Sequence, residues 1–160
     1  IVALDWMNGR RTPDANQNLK GVISGLNLGS DAPRIFRALV EATAFGSKAI
    51  VDRFRNEGIR IDGVIALGGV AKKSTFVMQI VCDVLNMPIK VARSEQACAL
   101  GSAMAAAVVA GVYPDLSEAQ KNMGGGFEKT YTPNAQNAEA YSNLYEKYLA
   151  LGKLIEFELK

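Results

Sequence analysis

A short apolar run that ends at two glycines limits the fold of this chain more than any other feature. Residues 64–67 (Val-Ile-Ala-Leu) are all apolar, and Gly68 and Gly69 follow them directly. Apolar residues then recur at four-residue spacing over residues 76–85, and residues 89–91 (Ile-Lys-Val) form a second β-branched run. This order predicts a buried strand, a tight turn, a helix and a second, parallel strand.

The two glycines lie where parallel sheets bind their ligands, beyond the carboxyl ends of the strands. Because Gly68 and Gly69 lack a Cβ, a ligand can approach the main chain there. We expect free N–H groups near Ser74 and Thr75, at the start of the helix, to face the same space. A plain turn is the alternative interpretation, and spacing alone favours it. The phosphate-loop and dinucleotide fingerprints are absent, since no glycine precedes Lys73 and no G-x-G-x-x-G occurs.

Composition excludes several classes of function. The 160 residues contain no histidine, which removes catalytic histidines and histidine-ligated metal sites from this chain. A net charge of +2, with scattered Lys and Arg, does not indicate a nucleic-acid partner. No stretch resembles a signal peptide or a membrane span, so we expect a cytoplasmic protein that contacts no membrane. Cys82 and Cys98 lie in apolar helical patterns and are predicted to be buried, reduced thiols.

The first third of the chain combines short strands with one long helix. Residues 1–4 predict a strand, and the loop of residues 5–13 that follows groups charged and aromatic side chains. Such a loop can serve a binding site or anchor itself to its domain, and the pattern favours neither. Residues 21–29 predict a bent strand or bulged turn. A helix over residues 30–57 ends at Gly58, and the small residues in its middle predict a central position.

The last third predicts two more helices. Residues 97–111 are nearly apolar all round, so we expect a buried helix there. Residues 112–131, with a triple glycine, have the character of a loop. A C-terminal helix covers residues 133–158, with Thr132 as its N-cap and Pro133 at its first position. The order of elements predicts an α/β fold with one mostly parallel sheet.

Several segments, in register along the chain, resemble one family. Residues 68–79 (Gly-Gly-Val-Ala-Lys-Lys-Ser-Thr-Phe-Val-Met-Gln) resemble the adenosine motif of the FGGY family of carbohydrate kinases, and residues 96–103 resemble its later connecting helix. Residues 3–13 and 39–46 narrow the resemblance to the branch that acts on the pentulose L-ribulose, which residues 128–133 also fit. The resemblance covers essentially the whole chain, and ordered motifs are more specific than any single one.

The resemblance implies a ribonuclease-H-like fold of the actin, Hsp70 and hexokinase superfamily, with a mixed sheet flanked by helices and incomplete at its N-terminus. Residues 1–160 would form the single C-terminal, nucleotide-binding domain of a two-domain kinase. The partners implied are ATP, with Mg carried by the nucleotide, and a sugar bound mainly by the missing N-terminal domain; a homo-oligomer is compatible with this. The γ-phosphate of ATP would pass to a pentulose, L-ribulose first. Another kinase of the family, similar to those for xylulose or glycerol, is the alternative.

The resemblance also implies site residues. Gly68, Gly69, Val70, Lys73 and Ser74 would line the ATP (adenosine) site, with Ser74 where relatives often carry an Asn that contacts adenine. A serine hydroxyl keeps one donor and one acceptor but lacks the amide fork. The catalytic aspartate and the phosphate-binding motifs of the family lie upstream of the segment that resembles residue 1. No catalytic residue and no metal ligand is therefore assigned here, and we expect the chain alone to be inactive.

Two other classes of function stay open on the sequence. A chaperone-like or filament-forming ATPase with the same nucleotide fold would show the Gly-Gly turn and the small-residue helices equally well. A domain that packs against a partner and binds no ligand is the third interpretation.

Overall fold

The chain alternates short strands with helices. The computed structural model describes residues 1–158. Its strands are β1 (Val2–Leu4), β2 (Val22–Ser24), β3 (Val64–Ala66), β4 (Ile89–Ala92) and β5 (Phe127–Tyr131). Its helices are α1 (Ala32–Asn56), α2 (Gly69–Lys73), α3 (Thr75–Leu85), α4 (Ala97–Val109), α5 (Leu116–Met123) and α6 (Ala135–Glu158).

These elements belong to two compact units. Unit 1 consists of Ile1–Asp62, Gln79–Met87 and the chain from Thr132 onward, whereas unit 2 consists of Gly63–Met78 and Pro88–Tyr131. The α/β class predicted from the sequence and the mixed sheet with helices implied by the family resemblance agree with these elements. The single domain over residues 1–160 stays a prediction.

Unit 1 is built on a two-stranded antiparallel sheet covered by two long helices. β1 pairs with β2, so that Leu4 lies opposite Val22, and both α1 and α6 contact β1. Ala42 and Ala44, in the middle of α1, are completely buried. Their small side chains leave room for the close approach of β1, which confirms the central position predicted for this helix.

The tyrosines of α6 form the aromatic part of this core. Tyr141, Tyr145 and Tyr148 are all buried and surround Phe45 of α1, with ring centroids 5.5–6.3 Å from the phenylalanine ring. Such offset and edge-on arrangements add to the stabilisation that burial of the rings provides. The tyrosines that recur at helical spacing along α6 are therefore core residues of unit 1.

A buried carboxylate joins α3 to the start of α6 within unit 1. The side chain of Asp83 is almost completely buried. One of its oxygens accepts hydrogen bonds from Gln79 Nε2 and the Asn134 N–H, and the other accepts one from Asn137 Nδ2, each at 2.8 Å. Three donors compensate the cost of removing the carboxylate from water.

The start of α6 differs from the prediction. The helix begins at Ala135, and the side chain of Asn134 accepts the N–H groups of Gln136 and Asn137 at 3.0 and 3.2 Å. Asn134, and not Thr132, therefore caps the helix. Asparagine is among the best N-cap residues, and it is placed here by its own N–H bond to Asp83.

Unit 2 contains a three-stranded mixed sheet in the order β3-β4-β5. β3 and β4 are parallel, with Val64 opposite Ile89, which confirms the predicted strand–helix–strand unit. β5 runs antiparallel to β4, with Tyr131 opposite Ile89. The prediction of one mostly parallel sheet is thus wrong, because the described strands form two sheets and this one is mixed.

Residues 112–131 are not the loop that their composition indicated. Asp115 caps α5 by accepting the N–H of Glu118 at 2.9 Å, and β5 follows after the triple glycine. The sequence signal was weak because α5 is short and polar, and because four of the five residues of β5 are exposed. An edge strand of this kind lacks the apolar alternation of a half-buried strand.

The prediction that residues 97–111 form a buried helix is wrong about burial. Met104 is the buried residue of α4, Val109 is 89% exposed, and Cys98 is exposed too, although Cys82 is buried as predicted and the two cysteines form no disulfide within the described residues. Within unit 2, α4 contacts α5. Within residues 1–158, no helix combines the length and the apolar character needed to cross a membrane.

The hydrogen bonds of Asp83 lead to a stability prediction. Replacing Asp83 by Ala should lower the free energy of unfolding by roughly 2–4 kcal/mol, since it removes the buried carboxylate whose hydrogen bonds join α3 to the start of α6. The measurement is urea denaturation of the wild type and the variant, followed by circular dichroism.

Asp62→Ala is the matched control, because Asp62 is exposed and pairs only with the exposed Arg60. It should leave the unfolding free energy nearly unchanged. Equal effects of the two substitutions would contradict a structural role for Asp83.

Candidate functional site

Two glycines keep the turn after β3 open. Gly68 has φ +91° and ψ −179°, a combination that residues with a Cβ essentially do not adopt. Gly69 then begins α2. A Cβ added to either glycine would meet no heavy atom within 4 Å. The main chain at this corner is therefore accessible, and the protein's own side chains do not fill it.

The chain enters its helices earlier than the sequence predicted. A short helix, α2, precedes α3, so the turn is followed by two helical segments instead of one. The N–H of Ser74 donates to the Val70 carbonyl at 3.0 Å and is not free, which corrects the expectation for that group. In a helix that begins at Gly69, the unpaired N–H groups belong to its first turn. The expectation for Thr75 stays a prediction.

Ser74 has a clear local role at the start of α3. Its Oγ accepts the N–H of Val77 at 3.3 Å, and its carbonyl accepts the N–H of Met78 at 3.1 Å. The hydroxyl thus satisfies one of the donors that a helix start leaves without a partner. It retains its own proton, which can still be donated to a ligand.

The two lysines of α2 differ in their surroundings. Lys72 Nζ donates to the Arg93 carbonyl at 2.6 Å and to a Glu128 carboxylate oxygen at 3.2 Å, so this side chain fixes α2 to the strands of unit 2. Lys73 is exposed and has no ion-pair partner among residues 1–158. Of the two, Lys73 is the cation that an anionic ligand could engage.

Exposed apolar side chains flank the glycines. Val70 is 60% exposed, and Leu67, just before the turn, is 55% exposed. The five residues proposed from the resemblance therefore come together as one accessible segment, with bare main chain at Gly68 and Gly69. An arrangement of open backbone, apolar flank, one hydroxyl and one ammonium suits a flat ligand with polar edges. It offers no general base.

The comparison with known proteins assigns this chain to a family. Residues 1–110 match the family model described as "FGGY family of carbohydrate kinases, C-terminal domain". The chain belongs to this family. It is 51% identical over 155 residues to a ribulokinase of Vibrio parahaemolyticus, covering 97% of this chain and 27% of that protein. It is 43% identical to a ribulokinase of Bacillus licheniformis, covering 94% of this chain and 28% of that protein.

The fold comparison agrees with this assignment. The chain superposes on the ligand-bound xylulose kinase from Lactobacillus acidophilus with a TM-score of 0.86 and 26% sequence identity. The match covers 97% of this chain and 31% of that structure. The chain therefore spans between a quarter and a third of the length of these relatives, and its α/β elements are those of a carbohydrate kinase of the FGGY family.

The geometry of the turn predicts different costs for its two glycines. Gly68→Ala should destabilise the chain by about 1–3 kcal/mol, because alanine is strained at this φ and ψ. Gly69→Ala should cause no loss and a gain of up to about 1 kcal/mol, because alanine is the better helix former. Thermal and urea denaturation of both variants is the measurement. A Gly68→Ala variant as stable as wild type would contradict the described turn.

Proposed function

We propose that this chain is the ATP-side domain of a kinase that converts L-ribulose to L-ribulose 5-phosphate, with Mg²⁺ carried by ATP. In this proposal residues 1–160 form one nucleotide-binding domain of the ribonuclease-H-like, actin-related type. The single observation that supports it most is the open main chain at Gly68 and Gly69, within the segment that resembles the adenosine motif. The ribulokinase relatives favour L-ribulose over xylulose or glycerol as the sugar.

Each residue of the turn has a part in this proposal. The main chain of Gly68 and Gly69 forms a wall against the adenosine, which a Cβ would push away. Val70 contributes apolar contact beside that wall. Ser74 donates its hydroxyl proton to a nitrogen or oxygen at the edge of the purine, while its Oγ continues to cap α3.

Lys73 completes the proposed site. Its ammonium is exposed and free of ion pairs within the described residues, so it can attract the negatively charged phosphates of the nucleotide. Phosphoryl transfer depends mainly on the positions of nucleotide, metal and acceptor hydroxyl. The contribution of this chain is to bind and orient ATP, and the base that takes the proton of the sugar hydroxyl lies elsewhere in the protein.

Filling the glycine corner should weaken nucleotide binding. Gly69→Val places a branched side chain where the structure has open space, so it should lower the affinity for ATP about tenfold or more, which corresponds to about 1.4 kcal/mol, while the fold survives. Isothermal titration calorimetry with Mg–ATP is the measurement, and circular dichroism checks the fold.

Gly63→Val is the matched control. Gly63 also lies in unit 2, has open space around it and precedes β3, away from the turn. It should bind ATP as the wild type does. Unchanged affinity in the folded Gly69→Val variant would reject the placement of the adenosine.

The sugar is tested in a longer polypeptide that includes the upstream part found in the relatives. ATP consumption should depend on L-ribulose and be weaker with xylulose and glycerol, and the 160-residue chain alone should be inactive. No turnover with any of these sugars would reject the kinase proposal. ATP hydrolysis that is independent of sugar would favour the chaperone-like or filament-forming alternative.

A further inference from the structure

A second accessible space lies entirely within unit 1. It is a cavity of about 530 Å³ between the loop of residues 5–14, the middle of α1 and the C-terminal half of α6. Trp6 and Tyr148, both buried, contribute to its inner wall. The volume is in the range of small-molecule sites, about 300–1,000 Å³. The five residues of the proposed ATP site do not line it.

Ion pairs hold the loop side of the cavity in place. Arg10 pairs with Glu156 of α6 and with Asp14, and Asp14 also pairs with Arg53 of α1. The Arg10 guanidinium also lies 5.4 Å from the centroid of the Trp6 ring. The loop is thus anchored, as one of its two interpretations from the sequence required, and the same anchoring builds a cavity wall. The charges of Arg10, Asp14 and Glu156 are therefore neutralised by ion pairs within the protein.

Asp5 is different from these acids. It lines the cavity, is half-buried, and has no ion-pair partner among residues 1–158. Burial raises the pKa of its carboxyl group. A backbone hydrogen bond at Asp5 opposes this rise only in part, so the carboxylate gains from a ligand that donates further hydrogen bonds to it.

The helix opposite Asp5 leaves space for such a donor. Residue 46, in the interior of α1, is a glycine, although alanine is the better helix former. A Cβ at Gly46 would already lie 3.8 and 3.9 Å from the carboxylate oxygens of Asp5. A larger side chain would occupy the space in front of the carboxylate. Thr43 and Ser47, also of α1, line the same wall with hydroxyl groups.

Two cations in the cavity lining are left without partners. Arg11, in the loop, and Lys153, on α6, are exposed and make no ion pair within the part of the chain that the structure describes. The three groups without ion pairs among the described residues, Arg11, Lys153 and Asp5, sum to +1, and the paired set of Arg10, Arg53, Asp14 and Glu156 is neutral. A simple cation is therefore a poor ligand, and an anion that also carries hydroxyl donors matches both charges.

We propose that this cavity binds a small phosphorylated sugar or polyol, with its hydroxyl groups on Asp5 and its phosphate between Arg11 and Lys153. A phosphate monoester carries about −1.5 to −2 charges at pH 7 and accepts charge-assisted hydrogen bonds from Arg and Lys. Sugar hydroxyls donate to the carboxylate. The assignment does not depend on the kinase proposal, because no residue of the ATP site takes part in it.

Trp6 gives a direct test, since it is the only tryptophan of the 160 residues. D-ribose 5-phosphate is titrated into the full chain while Trp6 fluorescence is followed, with D-ribose and inorganic phosphate in separate titrations at the same ionic strength. We expect a saturable signal with D-ribose 5-phosphate, and affinities at least about tenfold weaker for the other two compounds, because each lacks one half of the recognition.

Variants locate the binding. Arg11→Ala combined with Lys153→Ala should weaken D-ribose 5-phosphate binding about tenfold or more, and Asp5→Asn should also weaken it about tenfold or more, since each change removes hydrogen bonds to a charged group. Lys147→Ala, which removes an exposed lysine of α6 outside the cavity, is the matched control and should have no effect. Circular dichroism of each variant excludes loss of fold as the cause.

Three results would overturn the proposal. The first is the absence of a saturable signal in the folded wild type. The second is equal affinity of inorganic phosphate and D-ribose 5-phosphate, which would reduce the cavity to general anion attraction. The third is unchanged affinity in the Arg11 and Lys153 double variant. Because ATP binding is tested by Gly69→Val in unit 2, failure of this proposal and failure of the kinase proposal are separate outcomes.

Discussion

The conformation of Gly68 is the constraint on which the turn after β3 depends. At φ +91° and ψ −179° the chain leaves the strand in a direction that a residue with a Cβ could not take without strain. This lets α2 begin at once, and Lys72 then fixes α2 through the Arg93 carbonyl and Glu128. Ser74 caps the next helix in turn. The backbone geometry of Gly68 thus places Lys72 and Ser74 in structural contacts and leaves Lys73 exposed.

Two buried carboxylates of unit 1, Asp83 and Glu41, have protein partners of a kind that Asp5 in the cavity does not have among the described residues. Asp83 accepts three hydrogen bonds. Glu41 accepts one from Arg37 at 2.8 Å and one from the Tyr141 hydroxyl at 3.2 Å, and this bonding to Glu41 raises the pKa of Arg37. Both acids therefore join secondary-structure elements at little net cost. Asp5 is also partly removed from water, but within residues 1–158 it joins no element through an ion pair.

The sequence predicted those parts of the fold in which one local signal determines the outcome. Parallel β3 and β4 followed from two apolar runs around a helical period, and the end of α1 followed from Gly58, which has φ +79°. Asn134 took the capping role from Thr132 because its N–H is bound by Asp83, a contact 51 residues away in sequence. No local pattern carries that information.

Burial was harder to predict than the secondary structure. The all-apolar sequence of α4 predicts a helix, and one forms, yet Val109 is 89% exposed. Hydropathy measures the free energy gained when an apolar surface is removed from water. It does not say whether residues 1–158 contain the side chains that pack against that surface. The candidate nucleotide site was accessible to sequence reasoning because its residues are contiguous. The unit 1 cavity was not, because its wall combines Asp5, Gly46 and Lys153 from three distant segments.

The glycines of this chain occur at their positions for different structural reasons, which the sequence alone does not distinguish. Gly68 is required by its backbone angles, whereas Gly69 has ordinary helical geometry and open space around it. Gly152 admits the Trp6 ring, since a Cβ there would lie 3.1 Å from Cη2, and Gly46 leaves the space before Asp5 clear. All four are the same letter in the sequence. A turn explains Gly68 fully, but it does not explain Gly69, where alanine would fit and favour the helix. Gly69 is therefore the glycine of this corner whose missing side chain the fold itself does not require.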